Sequence, residues 1–392
     1  MSKKAVIEGS MAVAEAVKAC RPKVISAYPI SPQTHIVEDL AKMIADKELD
    51  STMVRVDSEF SAASVICGAS ATGVRAYTAS SSQGLLLMTE VLFNTAGMRL
   101  PIVITGVNRT ISAPITIQPD HQDTMTLRDA GLIQLYVENS QEAYATHIQA
   151  FKIAEDREIL LPVMVCMDGW ILTHSFEPVE IYDQELVDKF LPEYDPLYCL
   201  DPEKPITYGS YADNEVMEFR YMMQEAMERA KDKIQDVALE YKELFGEYYG
   251  GLIEEYRTEG ADVIVVAMGS VLGTIKDAVD EMRENGQKVG AIKVRSYRPF
   301  PAEELYNAVK DASIIAVLDK SLSIGQGGPL ATDTKAAFYN KKAPKVASFM
   351  AGLGGREVTK ETIKNIVYKC KKALELNIVA DMEFVDLRRE II

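Results

Sequence analysis

The sequence predicts an α/β protein: a parallel sheet covered by helices on both faces, then a connecting arm and a second, smaller α/β unit. Three observations carry that reading. Short β-branched and apolar runs alternate with helix-length segments over residues 1–176. Runs such as 101–107 and 160–167 are apolar throughout, as strands buried on both faces must be. The alternation breaks off over 177–250 and resumes from 251 to 392, which sets the expected division of the chain.

In order, residues 9–20 read as a helix with a small-residue face and 23–28 as a short buried strand. Pro29-Ile30-Ser31-Pro32 ends that strand. Prolines at i and i+3 exclude helix and ladder pairing, so Ser31 sits on a stiff loop. A helical pattern resumes over 33–46 (Ile36, Leu40, Met43, Ile44), and 53–56 form a second strand. It leads to Glu59, at the mouth of a helix that runs to residue 73 with Asp57 or Ser58 as N-cap. A carboxylate in the first turn suits the positive end of the helix dipole. Ala62, Ala63, Gly68, Ala69, Ala71 and Gly73 let another backbone, or a flat ring, approach closely, so this helix is expected to be buried. Two readings of Glu59 stay open on these residues: a capping glutamate on a tightly packed helix, or a working carboxylate at its mouth.

The strand over 74–80 delivers Ser80-Ser81-Ser82-Gln83-Gly84 to a helix over 85–96. Backbone N–H groups of such a loop can bind phosphate, but the lysine of a P-loop is absent. Strand 101–107 ends at Asn108-Arg109, and a long polar segment over 110–128 contains Asp120-His121-Gln122-Asp123. Strands over 132–137 and 160–167 flank a helix over 141–157. Ligands of such sheets bind outside the carboxyl ends of the strands, where Tyr28 to Ser31, Glu59, Ser80 to Gly84 and Arg109 all fall.

Residues 178–211, rich in Pro, Tyr, Asp and Glu, read as an irregular arm. Residues 214–249 read as a long charged amphipathic helix, either a connector or one that buries its stripe against a partner subunit. The second unit reads as strand 262–270, helix 271–284, strand 289–294, helix 302–311, strand 314–319, helix 330–339, strand 346–350 and helix 359–374. Its glycine clusters at 325–328 and 352–355 lack the placement of a dinucleotide fingerprint.

A net charge of −16 argues against nucleic acid or an anionic membrane as the main partner. No apolar run reaches the roughly 18–20 residues that span a bilayer. The first residues meet an acid, Glu8, too early for a signal peptide, so a cytoplasmic location is expected. Five scattered cysteines without C-x-x-C, and four histidines without metal spacing, predict no disulfide framework and no zinc or iron–sulfur site in this chain.

Tyr28-Pro29-Ile30-Ser31-Pro32-Gln33-Thr34 resembles the Y-P-I-[TS]-P loop of the 2-oxoacid:ferredoxin oxidoreductases, most closely that of their pyruvate-using α chains. Ser58-Glu59 with its small-residue helix, the run from Thr78 to Leu85, Asp120-His121-Gln122-Asp123 and Arg295-Ser296-Tyr297-Arg298-Pro299-Phe300 are similar to the same family, in order, across essentially the whole chain. The resemblance implies a thiamine-diphosphate-binding domain of the pyrimidine type followed by a transketolase C-terminal-like domain. It implies oxidative decarboxylation of pyruvate to acetyl-CoA and CO2, with ferredoxin as electron acceptor and coenzyme A as co-substrate. It places Glu59 on the pyrimidine N1′, Tyr28, Pro29 and Ile30 along the cofactor, and Arg109 on the substrate carboxylate. Ser31, where many members have Thr, falls near the oxo group. Oxalate-using relatives carry an arginine on this loop, and its absence here argues against a dicarboxylate.

The G-D-G…N signature that holds Mg2+ and the diphosphate is missing; Met167-Asp168-Gly169 comes nearest and reads as a strand-end turn. The implied partners are therefore a β subunit for the diphosphate and Mg2+, γ and ferredoxin-like δ subunits, [4Fe-4S] clusters on partner chains, and ferredoxin. Other readings are a 2-oxoisovalerate or other 2-oxoacid enzyme, a transketolase-like subunit with a different acceptor, and a non-catalytic α/β scaffold.

Overall fold

The apolar runs become strands and the amphipathic segments between them cover the sheets. The computed structural model describes residues 2–209, 211–379 and 381–392; Met1 of the N-terminal stretch, Ser210 of the arm and Ala380 lie outside the described residues. The first part runs β1 (Ser2–Glu8), α1 (Gly9–Cys20), β2 (Val24–Ala27), α2 (Thr34–Ala45), β3 (Thr52–Arg55), α3 (Glu59–Ala71), β4 (Ala76–Ser80), α4 (Ser82–Gly97), β5 (Val103–Asn108), α5 (Gln122–Thr126), β6 (Ile133–Tyr136), α6 (Ser140–Ala154), β7 (Val163–Asp168) and β8 (Phe176–Tyr182). Helices α7 (Gln184–Phe190) and α8 (Val216–Phe245) follow. The rest runs β9 (Ile253–Tyr256), β10 (Val263–Ala267), α9 (Val271–Glu284), β11 (Val289–Val294), β12 (Ser296–Arg298), α10 (Ala302–Val309), β13 (Ile314–Asp319), α11 (Pro329–Ala337), β14 (Lys345–Met350), α12 (Lys360–Leu376) and β15 (Glu383–Phe384).

Two parallel sheets result, with strand orders β12-β6-β7-β5-β4-β2-β3 and β15-β14-β13-β10-β11-β9. Among the described residues of these two sheets, the edge strands β12 and β9 run antiparallel to their neighbours and the other strands run parallel; β1 and β8 form a separate two-stranded sheet. The outer face of the first sheet packs on α1, α6 and α8 through residues such as Val17, Phe151 and Ile234. Its inner face shares one apolar core with the second sheet, joining Ile66, Leu92 and Met164 to Val266, Ile292 and Leu305. The far face of the second sheet is covered by α9 and α12 through Leu272, Ile275, Ile363 and Ile366.

Several elements depart from the pattern read in the sequence. Residues 2–8, with alternating polar residues, pair antiparallel with β8 from Ser2↔Tyr182 to Glu8↔Phe176, so the arm begins with a strand and the buried helix face of Val187 and Phe190 rather than as irregular chain. The partner strands lie far apart in sequence, and no local pattern announces such a pairing. Ser296–Arg298 leaves the second sheet's path and extends the first, antiparallel to β6. Helix α3 is buried on one face only: Phe60, Ser64 and Gly68 are exposed.

Candidate active site

The site lies where the strand order reverses. β2 leads outward to β3, the chain crosses back to β4, and the sheet then grows the other way. The crevice at the carboxyl ends of β2 and β4 is thus a topological switch point, the place where open parallel sheets take ligands.

After β2, the fully buried Gln33 pins the proline loop: its amide donates to the Ala79 carbonyl of β4 at 3.0 Å, and its Oε1 accepts the Ile30 N–H at 3.3 Å. Pro32 rests against Gly169, where a Cβ would come within 2.4 Å of the proline ring. This anchorage leaves Tyr28, Pro29 and Ser31 exposed and Ile30 half-buried along the crevice.

After β3, extended Ser58 is the N-cap of α3, its hydroxyl accepting the Ser61 N–H at 3.2 Å. Glu59 is therefore the first helical residue, its charge at the positive end of the dipole. It is only 7% exposed. The Glu59 Oε1 and the Ser80 hydroxyl close on Gly84, where a Cβ would lie 2.6 Å and 2.4 Å from them. Among the described residues no donor is hydrogen-bonded to this carboxylate, and the Ser80 and Ser81 hydroxyls are buried without partners. Buried polar groups left unmade are costly. A carboxylate beside orphaned hydroxyls and a side-chain-free backbone fits the polar edge of a flat heterocycle.

After β5, Arg109 turns back across the crevice. Its Nη1 donates to the Ser31 carbonyl at 2.7 Å and its Nη2 to Gln83 Oε1 at 2.9 Å, while Nε is buried without a partner. Burial pulls the guanidinium below the ordinary arginine value, and the Asp123 and Glu59 carboxylates act against that shift. The residues picked from the sequence are thus brought together: the Tyr28–Ser31 loop, Glu59 and Arg109 share one crevice. Three that sequence reasoning gave no role also work here, namely Gln33, Gln83 and Asp123. The sequence placed Asp123 in a polar segment and in a run similar to the family, without a role of its own; the structure puts it in the first turn of α5, fully buried. Burial pushes its carboxyl up to about 7, although N–H donors from Arg109, Asn108, Ser82 and Thr124 oppose the shift.

Asp168 ends β7 and is spent on the protein itself. One oxygen meets Lys320 Nζ at 2.6 Å and His121 Nε2 at 3.1 Å; the other accepts the Ser270 N–H at 2.9 Å and hydroxyl at 2.7 Å. Burial alone would raise this carboxyl, but Lys320 and His121 outweigh it and hold it well below the carboxylate range. Among the described residues no cluster of His, Cys, Asp or Glu is arranged to hold a metal ion.

The fold class follows from solved structures. A 2-oxoglutarate:ferredoxin oxidoreductase from Magnetococcus marinus, solved with 2-oxoglutarate, coenzyme A and succinyl-CoA bound, superposes with TM-score 0.71 at 20% identity over 95% of this chain. This chain spans 65% of that longer polypeptide. A split-gene transketolase superposes with TM-score 0.57 at 14% identity, over 95% of this chain and 99% of that one. Both likenesses define the class by fold alone: an α/β chain of paired parallel sheets. The sequence narrows it. Residues 15–239 match the thiamine diphosphate-binding region of pyruvate flavodoxin/ferredoxin oxidoreductases, and 261–363 match pyruvate:ferredoxin oxidoreductase core domain II. Pyruvate synthase subunit PorA of Methanosarcina barkeri is 51% identical over 100% of this chain and 98% of its own length. Ketoisovalerate oxidoreductase subunit VorA of Pyrococcus abyssi is 44% identical over 98% of each chain. The chain belongs to the pyruvate:ferredoxin oxidoreductase family.

Proposed function

We propose that this chain is the α subunit of a pyruvate synthase, which converts pyruvate, coenzyme A and oxidised ferredoxin reversibly to acetyl-CoA, CO2 and reduced ferredoxin. The observation that carries the reading is the pairing, at one switch point, of a buried helix-mouth carboxylate without a protein donor and a guanidinium tethered to the Ser31 loop. Thiamine diphosphate, when bound, would supply a nucleophilic thiazolium carbon and an electron sink for the pair released as CO2 leaves. Glu59 holds a proton at the pyrimidine N1′ and so favours the tautomer whose exocyclic nitrogen works as a base. Tyr28, Pro29 and Ile30 line the cofactor's side of the crevice. Arg109 offers its remaining Nη N–H groups to the substrate carboxylate, and the Ser31 hydroxyl serves the oxo oxygen.

We assign the diphosphate and Mg2+ to a β subunit, because Asp168 has no oxygen left for a metal. The [4Fe-4S] clusters, the γ and δ subunits and the contact with ferredoxin belong to the same assembly. Support for a multichain site comes from the exposed small-residue face of α3 and from relatives named as subunits. No helix among the described residues is long and apolar enough to cross a membrane, and we place the complex in the cytoplasm. We divide the chain into a pyrimidine-binding part (1–176), an arm and long helix (177–250) and a transketolase C-terminal-like part (251–392).

A second reading, 2-oxoisovalerate as substrate, is favoured by one observation: the ketoisovalerate oxidoreductase relative is 44% identical, the same as the pyruvate synthase relative from Thermotoga maritima. Pyruvate synthase subunit PorA of the same Pyrococcus abyssi is 48% identical, so overall identity leans towards pyruvate. A panel of 2-oxoacids assayed with the reconstituted complex and ferredoxin separates the two readings. Pyruvate is expected to give the highest kcat/KM; a branched-chain acid in first place would replace pyruvate as the substrate. In that complex Glu59→Ala should abolish decarboxylation with assembly intact, and unchanged turnover would remove Glu59 from the mechanism.

A further inference from the structure

Four N–H donors converge on the buried Asp123 carboxylate. Oδ2 accepts the backbone N–H of Ser82 at 2.9 Å and of Arg109 at 3.0 Å. Oδ1 accepts the Asn108 side-chain amide at 2.9 Å and the Thr124 N–H at 2.8 Å. The set is all donors, and only a carboxylate accepts from every member; an asparagine would turn its own NH2 on one pair of them. Asp123 itself is fully buried.

What the carboxylate joins matters more than how well it is satisfied. Ser82 follows β4 and Arg109 follows β5, so one oxygen ties the ends of two neighbouring strands. Ser82 is held in the left-handed region, at φ 50°, which is costly for a side-chain-bearing residue. The next residue, Gln83, is the one whose Oε1 takes Arg109 Nη2. Arg109 is therefore gripped at its backbone by Asp123 and at its guanidinium by Gln83, a residue whose own turn Asp123 also holds.

We infer that Asp123 is a positioning residue for substrate binding: by bonding the Ser82 and Arg109 N–H groups together, it locks Gln83 and the Arg109 fork into one rigid receptor for the carboxylate of the 2-oxoacid. The inference rests on the assignment of Arg109 to that carboxylate and deepens it. Asp123 touches neither substrate nor cofactor; it acts by keeping the fork aimed, and a fork free to swing loses grip on the substrate before it loses the chemistry.

The test uses the reconstituted holoenzyme with three variants. Asp123→Asn should raise KM for pyruvate by about tenfold, as expected for loss of hydrogen bonds that serve a charged group, with kcat within about threefold and thiamine diphosphate content unchanged. The double variant Asn108→Asp with Asp123→Asn reverses the pair. The new amide oxygen can accept from Ser82 and Arg109 while its NH2 donates to the new carboxylate, so KM should return most of the way. The double variant also serves if Asp123→Asn alone fails to assemble. Arg109→Ala reports on the underlying assignment. If Arg109→Ala raises KM while Asp123→Asn leaves it within about twofold, the positioning role falls and the Arg109 assignment stands. A loss of kcat at constant KM that the double variant does not restore marks Asp123 as merely structural and overturns the inference. An unaltered KM in Arg109→Ala overturns both.

Discussion

A buried glutamate costs free energy unless something meets its charge, and Glu59 is met by the α3 dipole on one side and, among the described residues, by no protein donor on the other. Room for that carboxylate depends on Gly84. Adding a methyl group there brings a Cβ to 2.6 Å from Oε1 and 2.4 Å from the Ser80 hydroxyl, so both must move. In the assembled complex Gly84→Ala should therefore cut turnover about 100-fold, the scale for displacing a catalytic group by about an ångström. Stopped-flow measurement of pyruvate-dependent ferredoxin reduction checks this; wild-type rates would mean that the position of Glu59 is not critical. The places of Glu59, Ser31 and Arg109 at strand ends were legible in the sequence because each follows an apolar run. The contacts of Gln33, Gln83 and Asp123 were not. Their partners, Ala79 for Gln33, Arg109 for Gln83, and Ser82 and Arg109 for Asp123, come from other strand ends, and only the folded sheet brings those together.

At the scale of elements, the α/β alternation was readable because both periodicities are local, and α9, β11 and β13 match the spans read from the sequence. What escaped were strands with a distant or foreign partner, β1 on β8 and β12 on the first sheet's β6, and the edge strands β9 and β15 of the second sheet. Helix α8 resolves its two readings in part. Its later turns bury Ala230, Ile234, Val237 and Tyr241 in this chain's own core, while Met217, Phe219 and Tyr221 in its first turns are exposed. Helix α11 shows a buried acid used as a cap: Asp319 Oδ1 accepts the Leu330 N–H at 2.9 Å and Oδ2 the Ala331 N–H at 3.1 Å. Burial pushes this carboxyl up to about 7. A raised folded-state value means that folding takes up a proton; the associated stability is full below the unfolded carboxyl range and is lost as pH rises through about 7. An asparagine side chain cannot ionise, so the melting temperature of Asp319→Asn minus that of wild type should become more positive as pH rises through about 7. A difference independent of pH would show that Asp319 does not titrate in that window.

At the scale of the molecule, the two parallel sheets are joined by a shared apolar core and two buried charge clusters. In one, Lys293 Nζ meets both Glu142 oxygens at 3.1 Å, and fully buried Arg295 donates to Gln149 at 2.8 Å. In the other, Asp168 of the first sheet meets Lys320 and Ser270 of the second part. The depressed Asp168 carboxyl contributes stability that is present above the ordinary carboxylate range and lost as pH falls through its folded value. Lys320→Met leaves Asp168 buried without its ammonium, and breaking one partner of such a pair costs about 3–5 kcal/mol. Urea unfolding of the purified chain at neutral pH should show that loss; a change under about 1 kcal/mol, the scale of an exposed pair, would mean that the cluster does not hold the sheets together.

The central claim is that Glu59 meets one end of a cofactor whose other end is held by a second chain. A density map of the assembled complex loaded with thiamine diphosphate tests it directly. The aminopyrimidine N1′ should lie at hydrogen-bond distance, about 2.7–3.2 Å, from the Glu59 carboxylate, with the diphosphate on the neighbouring subunit. A ring bound well beyond that reach, or no ring at the subunit boundary, would contradict it.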